Sequence, residues 1–429
     1  MKTLHRPLSI LLILFVVTFI PFFSLARSGS VRFTVMAPVN IPAMRKVKEI
    51  FPLRNYVFFD IGSAGIPDRY VLLTKEQVKD FREEHLELFP PRSLTGRSSR
   101  QMIVYYNILN LLGDRMGRNP STTITLSGAS MEGPADGESM AGSIKHYLVN
   151  VFGIDAARIS TEGRVKPRIP SEQPGGTKEL DLLREGDRRV SIRSMSPALL
   201  MEFQSGENAP LKTVEIIGIL QAPVDSYINF NVTGARENLS SWSLEIRDEQ
   251  SGVLGFGPYS NEQVSIPGKI ILGNRPEGNF KVTMTGLEKS GAKIKKDTTV
   301  HMVLWTPPES QETTRFSILY EFNESKAIPL YEKYLTDIVV QKIPAGSKVI
   351  IHGYTDLIGD STHNQTLSLE RANDVRNILV RGLSEAKING VQFEAFGFGG
   401  DQKMSPFENN FPEERFYNRT VIIDIIPSL

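Results

Sequence analysis

The residues best placed to do chemistry are a carboxylate and a guanidinium. They lie in Thr355-Asp356-Leu357-Ile358-Gly359 and in Asn364-Gln365-Thr366-Leu367-Ser368-Leu369-Glu370-Arg371-Ala372. Asp356 follows a strand expected over Lys348 to His352, and Arg371 falls in a helix expected over Asn364 to Leu383. At about 100° per residue, with Leu367 at zero, Ile378 lies at about 20°, Val375 at about 80°, Leu379 at about 120° and Ala372 at about 140°. That stripe faces the core, and Arg371, at about 40°, sits inside it. A buried guanidinium is costly unless something charged meets it. Conflicts of this kind with simple patterning tend to mark function.

Asn364 is short, polar and placed as an N-cap, and Gly359 loosens the loop before it. Asp356 can then fold towards Arg371. A pocket with a carboxylate on one wall and a guanidinium on the other suits a zwitterion: Asp356 accepts from an ammonium group and Arg371 grips a carboxylate with two hydrogen bonds. The bland alternative is a structural Asp356–Arg371 salt bridge that only closes the domain.

Other chemistry is weakly signalled. His352, Asp356, Asp360 and His363 match no recognised metal spacing. No serine or threonine has an evident nucleophile motif around it. Gly397-Phe398-Gly399-Gly400 opens a polar loop, which speaks against a phosphate loop. No cofactor is expected.

The elements that must position the pair belong to a chain of 429 residues, 40% hydrophobic and 23% charged, long enough for two or three domains with real cores. Lys2 and Arg6 precede an apolar run, Ile10 to Ala26, that ends on Ser24-Leu25-Ala26, so residues 1–26 read as a cleaved signal peptide; a retained inner-membrane anchor is the alternative. Without that segment the chain holds 47 basic and 48 acidic residues, a balance that argues against nucleic acid as partner. With no cysteine there are no disulfides, so stability must come from packing. Nothing after residue 26 reads as a membrane helix.

Residues 307–314 are polar and proline-bearing and read as a linker; a weaker break lies near Ser194 to Pro210. Between them, 211–306 alternates apolar and polar residues, as at Trp242, Leu244 and Ile246 or Phe280, Val282 and Met284, and turn signals separate the runs. This pattern predicts an antiparallel, immunoglobulin-like β-sandwich. The parts at 27–195 and 315–429 read as mixed α/β, with strands expected at Phe316 to Phe322, Val391 to Phe396 and Thr420 to Ile426 in the latter. They echo one another. Phe59-Asp60 matches Phe322-Asn323, Ile124 to Ser130 matches Val349 to Thr355, and Asp187-Arg188-Arg189 matches Asn418-Arg419-Thr420.

Thr355-Asp356-x-x-Gly359, then Asn364-x-x-Leu367-Ser368-x-x-Arg371-Ala372-x-x-Val375, with Asn418-Arg419 near the end, resembles the OmpA-like (OmpA/MotB) peptidoglycan-binding domain over roughly 315–426. The resemblance implies a βαβαβ-type domain. It also implies binding of the peptidoglycan stem peptide through diaminopimelate, with Asp356 and Arg371 as ligands and Asn364, Thr355 and Arg419 around them. Thr420 stands where the family usually has a second arginine.

The first part then reads as a degenerate second copy, with Met131 and Met140 at the positions of Asp356 and Arg371. It should keep the fold but not this binding. The whole reads as α+β: two OmpA-like domains flanking an immunoglobulin-like sandwich. The expected function is that of a non-enzymatic, exported, periplasmic protein associated with the wall and the outer membrane. Peptidoglycan is the expected partner, together with an envelope protein of unknown identity. A wall-modifying hydrolase would need paired catalytic carboxylates or a zinc site, and neither is evident.

Overall fold

The computed structural model describes residues 31–86, 88–89, 99–172, 179–201, 210–220, 222–308, 312–327 and 329–428; the signal-peptide segment 1–26 lies outside them. The architecture is mixed α and β. Among the described residues, no helix is long and apolar enough to cross a membrane.

The C-terminal part builds on four strands in the order Gln392–Gly397, Lys348–Gly353, Thr420–Ile426 and Thr313–Leu319. The first two are parallel, and Thr420–Ile426 runs antiparallel to both of its neighbours. The helix Ser361–Glu385 covers this sheet with Leu367, Ala372, Val375, Ile378 and Leu379, the stripe that the helical period marks out. Its N-cap is Asp360, whose carboxylate accepts from the His363 amide at 2.9 Å, so Asn364 is not the cap. Asp360 has the better claim because its backbone is extended, as a cap requires.

The first part has a four-stranded sheet of matching order and sense: Ile159–Arg164, Ile124–Ala129, Arg189–Ser194, Tyr56–Phe58. A helix, Pro134–Phe152, follows its Ile124–Ala129 strand. In the middle part, a five-stranded and a three-stranded sheet share one core containing Phe230, Ile266, Trp242, Phe280 and Met302.

Strand pairing crosses the boundaries read from composition. Arg32–Met36 pairs with Tyr227–Thr233, and Asn40–Pro42 adds in parallel to Lys293–Trp305, so residues 31–42 serve the middle sheets. Arg45–Leu53 pairs in parallel with Thr313–Leu319, Leu211–Leu220 pairs with Arg45–Leu53, and Leu88–Phe89 pairs in parallel with Leu211–Leu220, extending the C-terminal sheet to seven strands. The expected linker 307–314 therefore ends inside a strand: Thr313 pairs with Val47, and the strand runs Thr313–Leu319 where the sequence suggested Phe316 to Phe322. Local polarity at Thr313 and Thr314 hides pairing partners that lie far along the chain. The two outer parts also share a core, in which Tyr105 meets Tyr417 at 5.0 Å and Tyr56 meets Phe416 at 5.4 Å between ring centres.

Where Arg45–Leu53 joins the sheet, the register places Glu49, Arg315 and Asp424 side by side. All three are buried. Arg315 donates to both Asp424 oxygens at 2.6 and 2.8 Å and lies 3.4 Å from Glu49, which also takes Arg100 Nε at 2.9 Å. His352 Nε2 lies 3.0 Å from Asp424 and its Nδ1 2.7 Å from the Tyr354 hydroxyl. Asp424 only accepts, so Nε2 carries the proton and the Tyr354 hydroxyl donates to Nδ1.

Burial holds His352 below its ordinary 6.5. Burial pushes the Asp424 carboxyl up, but Arg315 and His352 more than offset it, and it lies below 3.8. For both groups the unfolded chain takes up protons first, so their contributions are present at neutral pH and lost as pH falls: His352's from about 6.5 downwards and Asp424's from about 3.8 downwards. The urea midpoint should therefore drop between about pH 7 and about pH 5, and His352→Gln should flatten that interval; an equal slope in the variant would refute the assignment.

Candidate functional site

The loop from Thr355 to Asp360 gathers the five residues singled out by sequence. Thr355, Asp356, Asn364, Arg371 and Arg419 are all buried, and they line one small cavity of about 60 Å³ with Phe322, Asn323, Ile358, Gly359, His363 and Leu367.

Arg371 lies on the packed face of the helix and is 0% exposed. No carboxylate meets it there. Its Nε donates to the Glu324 carbonyl at 2.7 Å, Nη1 to the Tyr354 carbonyl at 3.0 Å and Nη2 to the Glu321 carbonyl at 3.3 Å. The guanidinium stands 4.7 Å over the Tyr320 ring. Backbone dipoles and a π face thus stabilise the charge. Burial still outweighs them, and the group is pushed down to about 10. The carbonyl bonds leave guanidinium N–H donors over for a ligand.

Asp356 pairs with Arg419, Nη1 to Oδ2 at 2.8 Å, and its Oδ1 accepts from the Ile358 amide at 3.2 Å. The alternative, a structural Asp356–Arg371 salt bridge, does not form here; the ion pair is Asp356–Arg419. The physical reason is strand register: Arg419 immediately precedes the strand Thr420–Ile426, which lies beside Lys348–Gly353, the strand that leads to Asp356. Burial raises the Asp356 carboxyl above 3.8, against the pull of Arg419.

Asn364, inside the first helical turn, ties down the loop by donating to the Ile358 carbonyl at 3.0 Å. Thr355 Oγ1 donates to the Asp356 carbonyl at 2.9 Å. Asn418 has a structural role, exchanging hydrogen bonds with the Phe407 backbone. Thr420, in place of the family's second arginine, donates to the Ile318 carbonyl at 2.9 Å.

Sequence reasoning missed Tyr320, Asn323 and the Gly359 amide. The amide donates to Glu179 Oε2 at 2.7 Å, a partner 180 positions away. No local pattern signals it. His363 serves Asn323 at 3.0 Å while His352 serves Asp424 and Tyr354, so these histidines do not converge on a metal. Among the described residues no metal-ligating cluster occurs.

The first part can be laid on this site residue by residue. A Cβ on Gly128 would collide with the Gly137 carbonyl, as one on Gly353 would with that of Ser368. Gly163 meets the Glu138 amide as Gly397 meets that of Leu369. These close approaches put Met140, buried in its helix, where Arg371 stands. The strand pairs Val57–Val190 and Ile318–Val421 then equate Asp60 with Glu321, Ser63 with Glu324 and Arg188 with Arg419, which sets the Phe59-Asp60 echo two residues out. Arg188 donates to the Asp60 and Ser63 carbonyls, the counterparts of two that Arg371 serves, and to Asp136 at 2.6 Å. Met131, at the aspartate position, is exposed.

Residues 323–419 match the OmpA family. Outer membrane porin F of Pseudomonas aeruginosa is 29% identical over 116 residues, 26% of this chain and 31% of that protein. Outer membrane protein A of Shimwellia blattae is 35% identical over 80 residues, 18% of this chain and 33% of that protein. The chain spans about a third of the length of these curated relatives. Among solved structures, the peptidoglycan-associated lipoprotein from Burkholderia pseudomallei is 23% identical, over 25% of this chain and 88% of that one, with a TM-score of 0.21. The C-terminal domain of Helicobacter pylori MotB is 18% identical, over 26% and 84%, with a TM-score of 0.22.

Within this OmpA domain, Arg371→Met should remove the donor of three carbonyls. The protein should stay folded by circular dichroism but lose at least about 1–3 kcal/mol in denaturant titration, the cost of one unmet buried acceptor. An unchanged midpoint would show that water replaces the guanidinium.

Proposed function

We propose that this chain is a non-enzymatic envelope protein that holds peptidoglycan non-covalently, through the zwitterionic diaminopimelate end of the stem peptide. The observation that carries this is a buried acid and a buried guanidinium on one cavity inside an OmpA domain. Asp356 accepts from the ligand ammonium, beside its bond to Arg419. Arg371 supplies positive charge and its remaining donors to the ligand carboxylate. Asn364, Thr355 and Arg419 hold the loop in shape around them.

On this reading the protein is exported to the periplasm and lies against the cell wall and the outer membrane. The first part is a degenerate copy of the same domain; the matching strand order, the paired glycine contacts and the shared carbonyl sites support that. With Met140 in place of Arg371 it carries no zwitterion site. The middle sandwich, which we read as immunoglobulin-like, acts with it as spacer and partner-binding module.

The second reading is an envelope scaffold without wall binding, favoured by the fact that Asp356 already has an ion-pair partner. Co-sedimentation with purified sacculi separates the two. Wild type should pellet, and folded Asp356→Ala and Arg371→Ala should stay in the supernatant. Undiminished pelleting of both folded variants would sink the pocket.

A further inference from the structure

One donor on the wall of the cavity is already occupied, and by the protein itself. Gly359, exposed and at φ +100°, donates its amide to the exposed Glu179 carboxylate at 2.7 Å. Glu179 precedes the helix Leu180–Asp187 of the first part and adopts φ 52°. A side chain other than glycine rarely takes that left-handed conformation, so the neighbouring structure must hold it there. The helix is itself docked on the C-terminal part: Arg415, buried on Pro412–Asn418, donates to Glu185 at 2.6 Å. That contact fixes one end of the helix and aims the other at the loop of the site.

We propose that Glu179 is an intramolecular stand-in for the ligand carboxylate, a latch that keeps the site closed until wall peptide displaces it. This rests on the peptidoglycan reading above. The proposed ligand offers a carboxylate, and the exposed Gly359 amide, on the cavity that Arg371 also lines, is a donor it can take up. Glu179 supplies the same group in cis at high effective concentration. A cavity of about 60 Å³ fits a site in its closed state, since it holds little more than bound water. The first part, which lacks the charged pair, thereby acquires a role: it regulates the site of its neighbour.

The test uses the full mature chain and purified sacculi, comparing wild type, Glu179→Ala, Glu179→Gly and Asp356→Ala. The glycine variant accepts φ 52° without strain and guards against misfolding of the alanine one. Both position-179 variants should bind about tenfold more tightly than wild type, the equivalent of a competing charge-assisted hydrogen bond of about 1.4 kcal/mol. Amide exchange at Gly359 should also quicken in both without ligand. Equal or weaker binding by the position-179 variants, with binding lost in Asp356→Ala, overturns the latch and leaves the peptidoglycan reading intact. Binding by none of the proteins overturns both.

Discussion

The first and last parts of the chain are registered to each other across a row of buried charge. Glu49, Arg315 and Asp424 come from three neighbouring strands, and Arg100 and His352 extend the row at its ends. Each member is expensive to bury alone and tolerable only beside its neighbours. A slip of one residue in either strand pair would turn a charge to the opposite face of the sheet. The row therefore specifies how Arg45–Leu53 meets Thr313–Leu319, and with that it fixes how the first part stands against the last. Asp225, paired with Arg45 at 2.5 Å, ties the segment leading into the sandwich to the same strand.

The candidate site depends on that frame. Arg371 is held by carbonyls of the segment after Thr313–Leu319, and Asp356 is held by the arginine that precedes Thr420–Ile426. The charged pair expected from sequence is really two separate arrangements that share a cavity. In the first part, whose helix carries Met140, Arg188 donates to the Asp60 and Ser63 carbonyls and to Asp136 on the helix that follows. In both parts an arginine meets the carbonyls of this turn, and in both an acid stands on the loop: Asp356 at 2.8 Å from Arg419, and Glu132 at 3.8 Å from Arg188.

What could be read from the sequence follows from the range of each signal. Helical phase put Arg371 on the packed face, because a period of about 3.6 residues needs only neighbours to be visible. Alternation marked Trp242, Leu244 and Ile246 as core for the same reason. The partner of Asp356 could not be read, since it depends on which strand lies beside which. The true N-cap was misplaced by four positions (Asp360, not Asn364), as two short polar residues flank the same turn and only backbone geometry chooses between them. Arg45–Leu53 falls in 27–195 by position alone, and nothing in its residues says that it joins the C-terminal sheet. Glu179 carries no local signal at all.

The central place of Thr420–Ile426 has a temporal consequence. This strand follows the other described strands of its sheet along the chain, yet it lies between Lys348–Gly353 and Thr313–Leu319, and it brings Asp424 with it and Arg419 just ahead of it. Until it arrives, Arg315 has no aspartate, Asp356 has no arginine, and Arg45–Leu53, formed hundreds of residues earlier, has a partner strand with one edge still open. Contacts this distant in sequence are slow to form and leave sticky edges waiting. The site and its frame therefore wait on the same residues, and neither is complete until Arg419 and Asp424 are in place.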